Sequence, residues 1–454
     1  MLGCSKMEDK ISLYVTNFGP INNAKIDMAK INIVAGPNAS GKSTLSKLFY
    51  SILGSVSSDG TKLLQESLKK KLEPLISNIL KDYPNDKKLK QLYLKLRYID
   101  ANNLTVEDVY DDFTLYVEDN TCFNDYREEI DVVDQIMEYR ENKKESYFQI
   151  LSSLLNIEFA QELSKNFSNS SITFTNHNGK GYFVQINTGD KSTQISCSES
   201  IDKFLKVPEL IYIETPYILD FSYILDYIYA SDRQSPYHQD LLMEKLKEKK
   251  DERNIFDNEL NKRQDEILEK IDEIINGRLE HDSGTNRFLF HQDGKIFASQ
   301  NIAAGIKIIG LLQLLLRNRK LVKGSFLIMD EPEVHLHPEW QVKLAEIIVI
   351  LAKDLDITSY INSHSPQFIE AIQTYSSYYK IIDSVKFYVT NERENNSFDI
   401  VSVDTDDTEK IFGHLNRAFT ILDKINADIS ADNILKKDKI NADISVDNIL
   451  KNKK

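Results

Sequence analysis

The stretch INIVAGPNASGKSTLSKLFYSIL at residues 31–53 contains the pattern G-x-x-x-x-G-K-[ST] without a mismatch. The apolar residues before the pattern are typical of a short buried strand, and those after it recur at helical spacing. A strand, a glycine-rich loop and a helix therefore follow one another. Because backbone amides at a helix N-terminus point at a bound anion in this arrangement, the stretch predicts a phosphate-binding loop.

The side chains of this loop suit a nucleoside triphosphate. Lys42 would place a compact positive charge on the β- and γ-phosphates, and the Ser43 hydroxyl would coordinate Mg²⁺. Thr44 would add a further contact. We predict that ATP is bound by the whole phosphate loop, residues 36–44, which consists of Gly36, Pro37, Asn38, Ala39, Ser40, Gly41, Lys42, Ser43 and Thr44.

A second motif, GSFLIMDEPEVHLHPEWQ at residues 324–341, carries acidic side chains. Its apolar run predicts a buried strand that ends in Asp330 and Glu331. Adjacent carboxylates at a buried strand end are costly unless they have a chemical role. Asp330 would therefore join Ser43 at the Mg²⁺ ion, and Glu331 would act as the catalytic residue that polarises the attacking water.

Composition restricts the classes of protein to which these motifs can belong. The chain has 454 residues and a formal net charge of -14, and it is 41% hydrophobic. This length predicts two or three lobes, and the acidic balance argues against a generally basic nucleic-acid-binding surface, although it permits a local basic groove. No apolar run approaches the ~20 residues that span a bilayer, and the N-terminus lacks a signal-peptide pattern. We therefore expect a cytoplasmic protein that makes no membrane contact.

Five motifs, taken in order, carry a family resemblance. They are NFGPI, GPNASGKST, NIAAGIKIIGLLQLLL, LIMDEPEVHLHPEW and INSHSPQFIEA, at residues 17–21, 36–44, 301–316, 327–340 and 361–371. In this combination the chain resembles the ABC-type ATPases of the SMC, RecF and overcoming-lysogenization-defect (OLD) branch, as a stand-alone AAA-like ATP-binding protein. The resemblance implies an α/β ABC-type P-loop NTPase with a mixed sheet, β-hairpins and helical insertions. It also implies ATP hydrolysis with Mg²⁺ and two ATP molecules closed between the protomers of a homodimer or a larger assembly.

The resemblance adds two further motifs to the predicted site. His364 matches the family's switch histidine, a catalytic residue whose imidazole can donate to the γ-phosphate. Gly305 matches the signature loop, residues 301–307, which contacts the nucleotide of the partner protomer. Ala303 and Ala304 stand where the family normally has a serine. We therefore expect weakened contacts across the dimer and slow turnover, with Asn301 as a candidate to cap the helix or reach the nucleotide.

Two histidines follow the acidic motif, and the resemblance also bears on them. His335 and His337 match a histidine-bearing segment near the dimer interface, and we do not interpret them as a metal pair.

The segments between the motifs predict the organisation of the chain. Residues 11–21 have strand composition, and the alternation of residues around Asn178-Gly179 and Asp293-Gly294 predicts two β-hairpins. Residues 241–279 predict a long charged helix or helical hairpin, which permits either a short coiled coil or a helix packed on its own domain. Near the end, KINADISADNILK recurs as KINADISVDNILK, which indicates a tandem duplication. We predict a first core part with the phosphate loop at 1–60, a helical insertion at 61–165, a β-rich core segment at 166–235, a charged helical insertion at 236–282, a second core part with the signature loop, acidic motif and switch histidine at 283–400, and a helical tail at 401–454.

The purpose of the ATP cycle is the most open question. The leading hypothesis is an ATPase sensor or motor of anti-phage defence or DNA maintenance that acts with a separate effector protein such as a nuclease. Alternatives are an ATP-gated DNA-binding clamp with little hydrolysis and an ABC transporter ATPase subunit. The chain lacks a second set of catalytic carboxylates, so we expect no nuclease activity from it alone. If DNA is bound, the candidate basic residues are Lys69, Lys70, Lys71, Lys245, Lys247, Lys249 and Lys250.

Overall fold

The computed structural model describes most of the chain between residues 11 and 405. The described ranges are 11–97, 106–118, 126–127, 130–131, 133–134, 143–159, 169–176, 182–188, 193–197, 207–221, 237–248, 258–394 and 396–405, with the single residues 411, 413 and 425. The predicted hairpin turn at residues 178–179, the basic residues 249–250 and the duplicated tail lie outside the described residues, apart from Ile425.

An eleven-stranded mixed sheet forms the frame of the molecule. In chain order its strands are β1 (Ile11–Phe18), β2 (Ile21–Asp27), β3 (Ile31–Ala35), β4 (Ser170–Asn176), β5 (Tyr182–Thr188), β6 (Thr193–Cys197), β7 (Leu210–Ile213), β11 (Phe326–Asp330), β12 (Thr358–Ser363), β13 (Val385–Glu392) and β14 (Phe398–Val403). Across the sheet, neighbouring strands follow the order β6-β5-β4-β1-β2-β14-β13-β3-β12-β11-β7. Strands β13, β3, β12, β11 and β7 are parallel neighbours, whereas β1, β2, β4, β5 and β6 pair in antiparallel fashion. The sheet is therefore mixed, as the family resemblance implies.

The parallel half of the sheet decides where a ligand can bind. Strands β3, β7 and β11 are buried along their whole length, which their continuous apolar runs predict for strands covered on both faces. Ala35 of β3 pairs with Ser363 of β12, and Asp330 of β11 pairs with Asn362 of β12. The carboxyl ends of these strands thus meet at one edge, where open α/β sheets bind their ligands.

Helices cover both faces of the sheet. They are α1 (Lys42–Gly54), α2 (Ser58–Asp82), α3 (Lys87–Arg97), α4 (Val106–Glu118), α5 (Lys143–Glu158), α6 (Tyr237–Lys247), α7 (Asn258–Ile275), α8 (Ala304–Arg317), α9 (Pro338–Asp354) and α10 (Pro366–Tyr378). One apolar core joins α6–α10 to the sheet, and a second joins α1 and α5 to its other face. Ile33 and Val34 belong to different cores because successive side chains of a strand point to opposite faces. None of the helices in the described part of the chain is long and apolar enough to cross a bilayer.

Helices α2, α3 and α4 share a third apolar core of their own. Leu72, Leu89 and Val109 are among its fully buried members, and all three lie within residues 61–165. This segment, which we interpret as an insertion, is helical wherever the structure describes it apart from short connections. The core shared by α2, α3 and α4 is separate from the two that cover the sheet, whereas α5, in the same segment, packs on the sheet.

Two turns show how the local sequence determines chain reversal. Asp293 and Gly294 both have positive φ, 49° and 72°, and they connect β9 (Arg287–Gln292) to β10 (Lys295–Ala298) in the predicted hairpin. These strands form a small sheet with β8 (Arg278–Asp282). Residues 11–21, which have strand composition, form one strand and the start of a second. Gly19, at φ 59°, lies in a turn that makes β1 and β2 an antiparallel pair.

Helix α7 contains a seam of apolar residues, among them Ile267, Ile271 and Ile274, whose heptad-like spacing permits a coiled coil. Ile267 and Ile271 are buried in the core that covers the sheet, and Ile274 packs against that core. Gln264 also donates to the backbone oxygen of Leu316 at 3.1 Å. The described seam therefore packs on its own domain.

Candidate functional site

The phosphate loop connects β3 to α1, and its backbone shape depends on its glycines. Gly41 has φ 91°, and a Cβ added there would lie 2.6 Å from Cγ1 of Ile21. A Cβ on Gly36 would lie 1.9 Å from Oγ1 of Thr390. Both positions therefore require glycine. Gly41 is needed for its positive φ and for lack of space, and Gly36 for lack of space alone. Ile21, the last residue of the NFGPI motif, thus lies against the phosphate loop.

Lys42, the first residue of α1, is buried beneath the loop. Its Nζ donates to the backbone oxygens of Gly36 at 2.9 Å and Pro37 at 2.8 Å, and it lies 3.6 Å from Oε1 of Glu331. Burial lowers the pKa of Lys42, and the neighbouring carboxylates of Glu331 and Asp330 oppose that shift. The ammonium thus points into the cradle where a phosphate would bind.

Asp330 ends β11 and is held by several neutral donors. Its Oδ1 accepts from Ser46 Oγ at 2.5 Å and from Asn362 Nδ2 at 2.6 Å, and its Oδ2 accepts from the hydroxyl of Tyr212 at 2.8 Å. Burial raises the pKa of Asp330, while hydrogen bonds from Ser46, Tyr212 and Ser43 oppose that rise. A cation bound here would favour the charged carboxylate, because opposite charge lowers the pKa of an acid.

Glu331 lies between the phosphate loop and the switch histidine. It has φ 46°, and its backbone amide donates to the oxygen of Asn362 at 2.9 Å. Its Oε1 lies 3.5 Å from Nδ1 of His364, in addition to the contact with Lys42. The side chain is 30% exposed, so water reaches the carboxylate. The structure therefore brings together Lys42, Asp330, Glu331 and His364, which come from three separate sequence motifs.

Glu333 was not predicted and supports the switch loop. Its Oε1 accepts from Ser363 Oγ at 2.6 Å, from the backbone amide of His364 at 3.0 Å and from that of Ser365 at 3.2 Å. The residue is 2% exposed, burial raises its pKa, and its Oε2 is buried without a hydrogen bond. Glu333 therefore fixes the backbone that carries His364.

Three more residues of the site lacked a recognised signal in the sequence. Ser46 follows Ser43 by one helical turn, and Asn362 is the last residue but one of β12, so strand and helix register could have indicated both. Tyr212 lies in β7, more than a hundred residues before the acidic motif. Its contact with Asp330 depends on the parallel pairing of β7 with β11, which no local pattern reveals.

The signature loop is at the start of α8, and the structure changes one expectation about it. Ala303 occupies the N-cap position and makes no side-chain capping hydrogen bond, so Asn301 is not the cap. Asn301 and Ala303 are exposed, whereas Gly305 is buried. A Cβ on Gly305 would lie 3.1 Å from Cε3 of Trp340, so the glycine permits close packing of α8 on α9. Among the described residues, no hydrogen bond or ion pair joins Gly305 to Lys42.

Two histidines of the acidic motif have local structural roles. The nitrogen Nδ1 of His337 accepts from the backbone amide of Glu339 at 3.4 Å and caps α9. His335 has φ 66°, and its ring lies 6.1 Å from that of Tyr217. Within the described ranges, no group of three or more His, Cys, Asp or Glu side chains is arranged to hold a metal ion.

One of the basic residues considered for DNA binding is unsuitable for that role. Lys245 is 3% exposed, and its Nζ donates to Glu209 Oε2 at 2.6 Å and to the backbone oxygen of Leu210 at 3.1 Å. The ammonium is therefore used inside the protein, and the prediction that Lys245 belongs to a basic surface stripe is wrong.

A glycine-rich loop after a buried parallel strand, a buried lysine beneath it and an aspartate at the end of a neighbouring strand define the P-loop NTPase class. The predicted α/β P-loop NTPase fold is thus confirmed. Residues 10–369 match the model of the AAA ATPase domain family, and the chain belongs to that family. The prediction of an AAA-like ATPase is confirmed at the level of this family. A sequence search against curated proteins finds no match.

Among solved structures, the chain is similar to SMC head domains. An SMC head bound to the C-winged helix domain of ScpA aligns with a TM-score of 0.39 and 10% identity, covering 88% of this chain and 99% of that one. The SMC head domain from Thermotoga maritima aligns with a TM-score of 0.37 and 11% identity, covering 88% of this chain and 100% of that one. A third structure is an Smc head domain with an extended coiled coil, bound to the C-terminal domain of ScpA and derived from Pyrococcus furiosus. It aligns with a TM-score of 0.37 and 11% identity, covering 90% of this chain and 100% of that one. The family model, not these low scores, carries the assignment.

Proposed function

We propose that this chain binds ATP with Mg²⁺ and hydrolyses it. The observation that carries the proposal is the convergence of Lys42, Asp330, Glu331 and His364 at the carboxyl ends of β3, β11 and β12. These residues come from three separate motifs of the sequence. A buried lysine in a loop of inward-pointing amides suits the phosphates, and the two carboxylates suit the metal and the water.

The residues around Asp330 fit a Mg²⁺ ion. Mg²⁺ prefers oxygen ligands and is usually held by one or two carboxylates together with phosphate oxygens and water. Asp330 and the Ser43 hydroxyl supply protein oxygens, and the buried Oδ1 of Asn362 has no hydrogen-bond partner. When bound, the ion would neutralise charge on the phosphate oxygens. Asp330 and Ser43 would hold it, while Ser46, Asn362 and Tyr212 orient the aspartate.

Glu331 is the proposed general base. Its carboxylate is partly open to water, and Lys42 Nζ and His364 Nδ1 lie 3.6 and 3.5 Å from the same Oε1 atom. In the proposed reaction Glu331 orients a water molecule toward the γ-phosphate and accepts its proton, and His364 donates a hydrogen bond to the γ-phosphate. Glu333 maintains the position of His364 through the switch-loop backbone.

We further propose that two copies of the chain complete the site. The N-terminus of α8 has exposed residues before Gly305 and makes no hydrogen bond or ion pair with Lys42 among the described residues, so it is available to a partner protomer. Helix amides there can bind the γ-phosphate of the partner's ATP. The proposed biological role is a sensor or motor of anti-phage defence or DNA maintenance, which acts through a separate effector such as a nuclease.

The proposed activity is tested by Lys42→Ala. Removing the buried ammonium should abolish tight ATP binding in calorimetry and leave the thermal unfolding midpoint close to that of the wild type. Lys262→Ala is a suitable control, because this lysine is 77% exposed and lies on α7. Wild-type ATP affinity in Lys42→Ala would refute the assignment of the phosphate loop.

A further inference from the structure

A charged cluster with a buried histidine lies beside the proposed ATP site and has no role in the function as described so far; His238 and Glu158 are buried, and the side chain of Glu214 is 32% exposed. It consists of His238 in α6, Glu158 at the end of α5 and Glu214 just after β7. The nitrogen Nδ1 of His238 lies 2.7 Å from Glu158 Oε2, and Nε2 lies 3.2 Å from Glu214 Oε2. His238 is 1% exposed, and its backbone amide also donates to Glu158 Oε1 at 3.1 Å. One imidazole thus bridges carboxylates from two separate elements.

This cluster contacts the Mg²⁺ ligand through a single tyrosine. The ring of His238 stacks on the ring of Tyr212, with 4.2 Å between centroids and 29° between planes. Tyr50 of α1 packs against both rings, at 5.9 Å from Tyr212 and 5.7 Å from His238. The hydroxyl of Tyr212 donates to Asp330 Oδ2 at 2.8 Å. A continuous set of buried contacts therefore leads from α5 to Asp330.

The position of the Tyr212 hydroxyl determines how Asp330 can bind a metal. Ser46 and Asn362 both donate to Oδ1, whereas Tyr212 donates to Oδ2. These three hydrogen bonds together fix the plane of the Asp330 carboxylate. The lone pairs that they do not use are then directed at a defined position for the ion. Residues that orient a metal ligand in this way tune metal affinity without touching the metal. Because His238 covers one face of the tyrosine ring, it restricts where that hydroxyl can point.

We propose that Tyr212 and His238 are positioning residues that set the Mg²⁺ affinity of Asp330, with Glu158 and Glu214 holding the imidazole in place. The inference rests on the proposed function, since it concerns the ion that would accompany ATP. The proposed contacts link α5, the last described helix of the predicted insertion, to Asp330 at the metal-binding part of the site. They leave the phosphate loop unaffected.

The test compares single and double variants by calorimetric ATP binding, measured over a Mg²⁺ titration and again in EDTA. Tyr212→Phe keeps the stacked ring and removes only the hydroxyl. Tyr360→Phe is the matched control, because the Tyr360 hydroxyl is equally buried near Asp330 but has no hydrogen-bond partner. His238→Gln keeps a hydrogen-bonding side chain and removes the ring. If the His238→Gln protein does not fold, Glu158→Gln is measured in its place.

We expect Tyr212→Phe to raise the half-saturating Mg²⁺ concentration on the order of 10-fold. ATP affinity in EDTA should stay at the wild-type value, which a general loss of structure would not allow. His238→Gln should raise the Mg²⁺ requirement less, and its effect should shrink when Tyr212 is already phenylalanine, because the two residues act in series.

Two results would overturn the inference while leaving the proposed function intact. In the first, wild type binds ATP with Mg²⁺ and Tyr212→Phe has the same Mg²⁺ requirement as Tyr360→Phe. In the second, the effect of His238→Gln is equally large with and without the Tyr212 hydroxyl. Failure of the wild type to bind ATP would instead refute the proposed function, and the inference with it.

Discussion

The Oε1 atom of Glu331 lies 3.6 Å from Nζ of Lys42, so the proposed base and the proposed phosphate ligand form an ion pair inside the site. Lys42 also donates to the backbone of the phosphate loop. A change at Glu331 therefore affects the charge around Lys42 without removing the groups that bind phosphate. Binding and hydrolysis should for this reason separate cleanly in variants of Glu331.

Glu331→Gln should retain ATP binding and lose hydrolysis. The amide keeps the size of the side chain but cannot accept the proton of water, so phosphate release should fall by about 10²- to 10⁴-fold. ATP should accumulate in the closed assembly, and light scattering after size exclusion should show a mass increase with ATP. Glu339→Gln, at an exposed position on α9, is the control. Hydrolysis at the parental rate would mean that another residue is the base.

Glu333 gives a prediction that separates positioning from catalysis. In Glu333→Ala the hydroxyl of Ser363 and the amides of His364 and Ser365 lose their common acceptor. The Ser365 amide keeps its hydrogen bond to Ser363 Oγ at 3.1 Å, so two donors are left without a partner. Because each such donor costs about 1–3 kcal/mol, a loss of roughly 3 kcal/mol in unfolding free energy is expected. Phosphate release should fall while ATP affinity changes little, because Lys42 is untouched.

Glu333→Gln provides the comparison for that variant, since it keeps an acceptor oxygen at the same place. Its urea unfolding midpoint should lie between those of wild type and Glu333→Ala. Equal stability of all three proteins would show that the switch loop does not depend on this side chain.

The signature loop gives a prediction based on a missing hydroxyl. Ala303 has φ -64° and ψ 148° at the N-cap of α8, a conformation that a capping serine adopts. Ala303→Ser should therefore stabilise the protein by about 1 kcal/mol through the helix cap. If the loop also contacts the partner's γ-phosphate, ATP-dependent dimers should become tighter by light scattering. A gain in thermal stability with no change in assembly would confine the effect to the helix.

The parts of the site that were predictable are those in which one stretch of chain determines both structure and chemistry. The phosphate loop is an example, because its glycines and Lys42 are contiguous and the flanking periodicity changes from strand to helix. Asp330 and His364 were found in the same way, each at or just after the end of a buried strand. Glu333 stood within the quoted acidic motif, but its partners lie on another strand end.

Tyr212 and Asn362 were not found, because their roles arise only from sheet order. Strand β7 lies beside β11 at the edge of the sheet, although the two are far apart in sequence. Nothing in LIYI predicts a hydroxyl directed at a distant aspartate. The turn at Gly19 was missed for a different reason, since Asn17 and Gly19 both have positive φ within an otherwise strand-like composition.

The charged cluster around His238 predicts a pH-dependent stability. Burial opposes protonation of His238, but hydrogen bonds to Glu158 and Glu214 outweigh it and raise its pKa above the ordinary value of 6.5. The hydrogen bond from His238 also lowers the pKa of Glu214 to about 2. Among the described residues, the charged and titratable groups around the imidazole are these two glutamates, Tyr212, which stacks on the ring, and Tyr50, which meets it edge to face.

The sign of the effect follows from proton linkage. Because the pKa of His238 is raised in the folded protein, its contribution to stability is complete below about pH 6.5 and is lost as pH rises through the folded pKa. The contribution of Glu214 is present above its ordinary pKa of 4.5 and is lost as pH falls toward 2. The difference in unfolding free energy between wild type and His238→Gln should thus be largest near pH 6 and should shrink in alkaline solution. Thermal unfolding midpoints measured from about pH 5 to pH 9 would show this convergence, and a difference that stays constant over that range would mean that His238 is neutral in the folded protein.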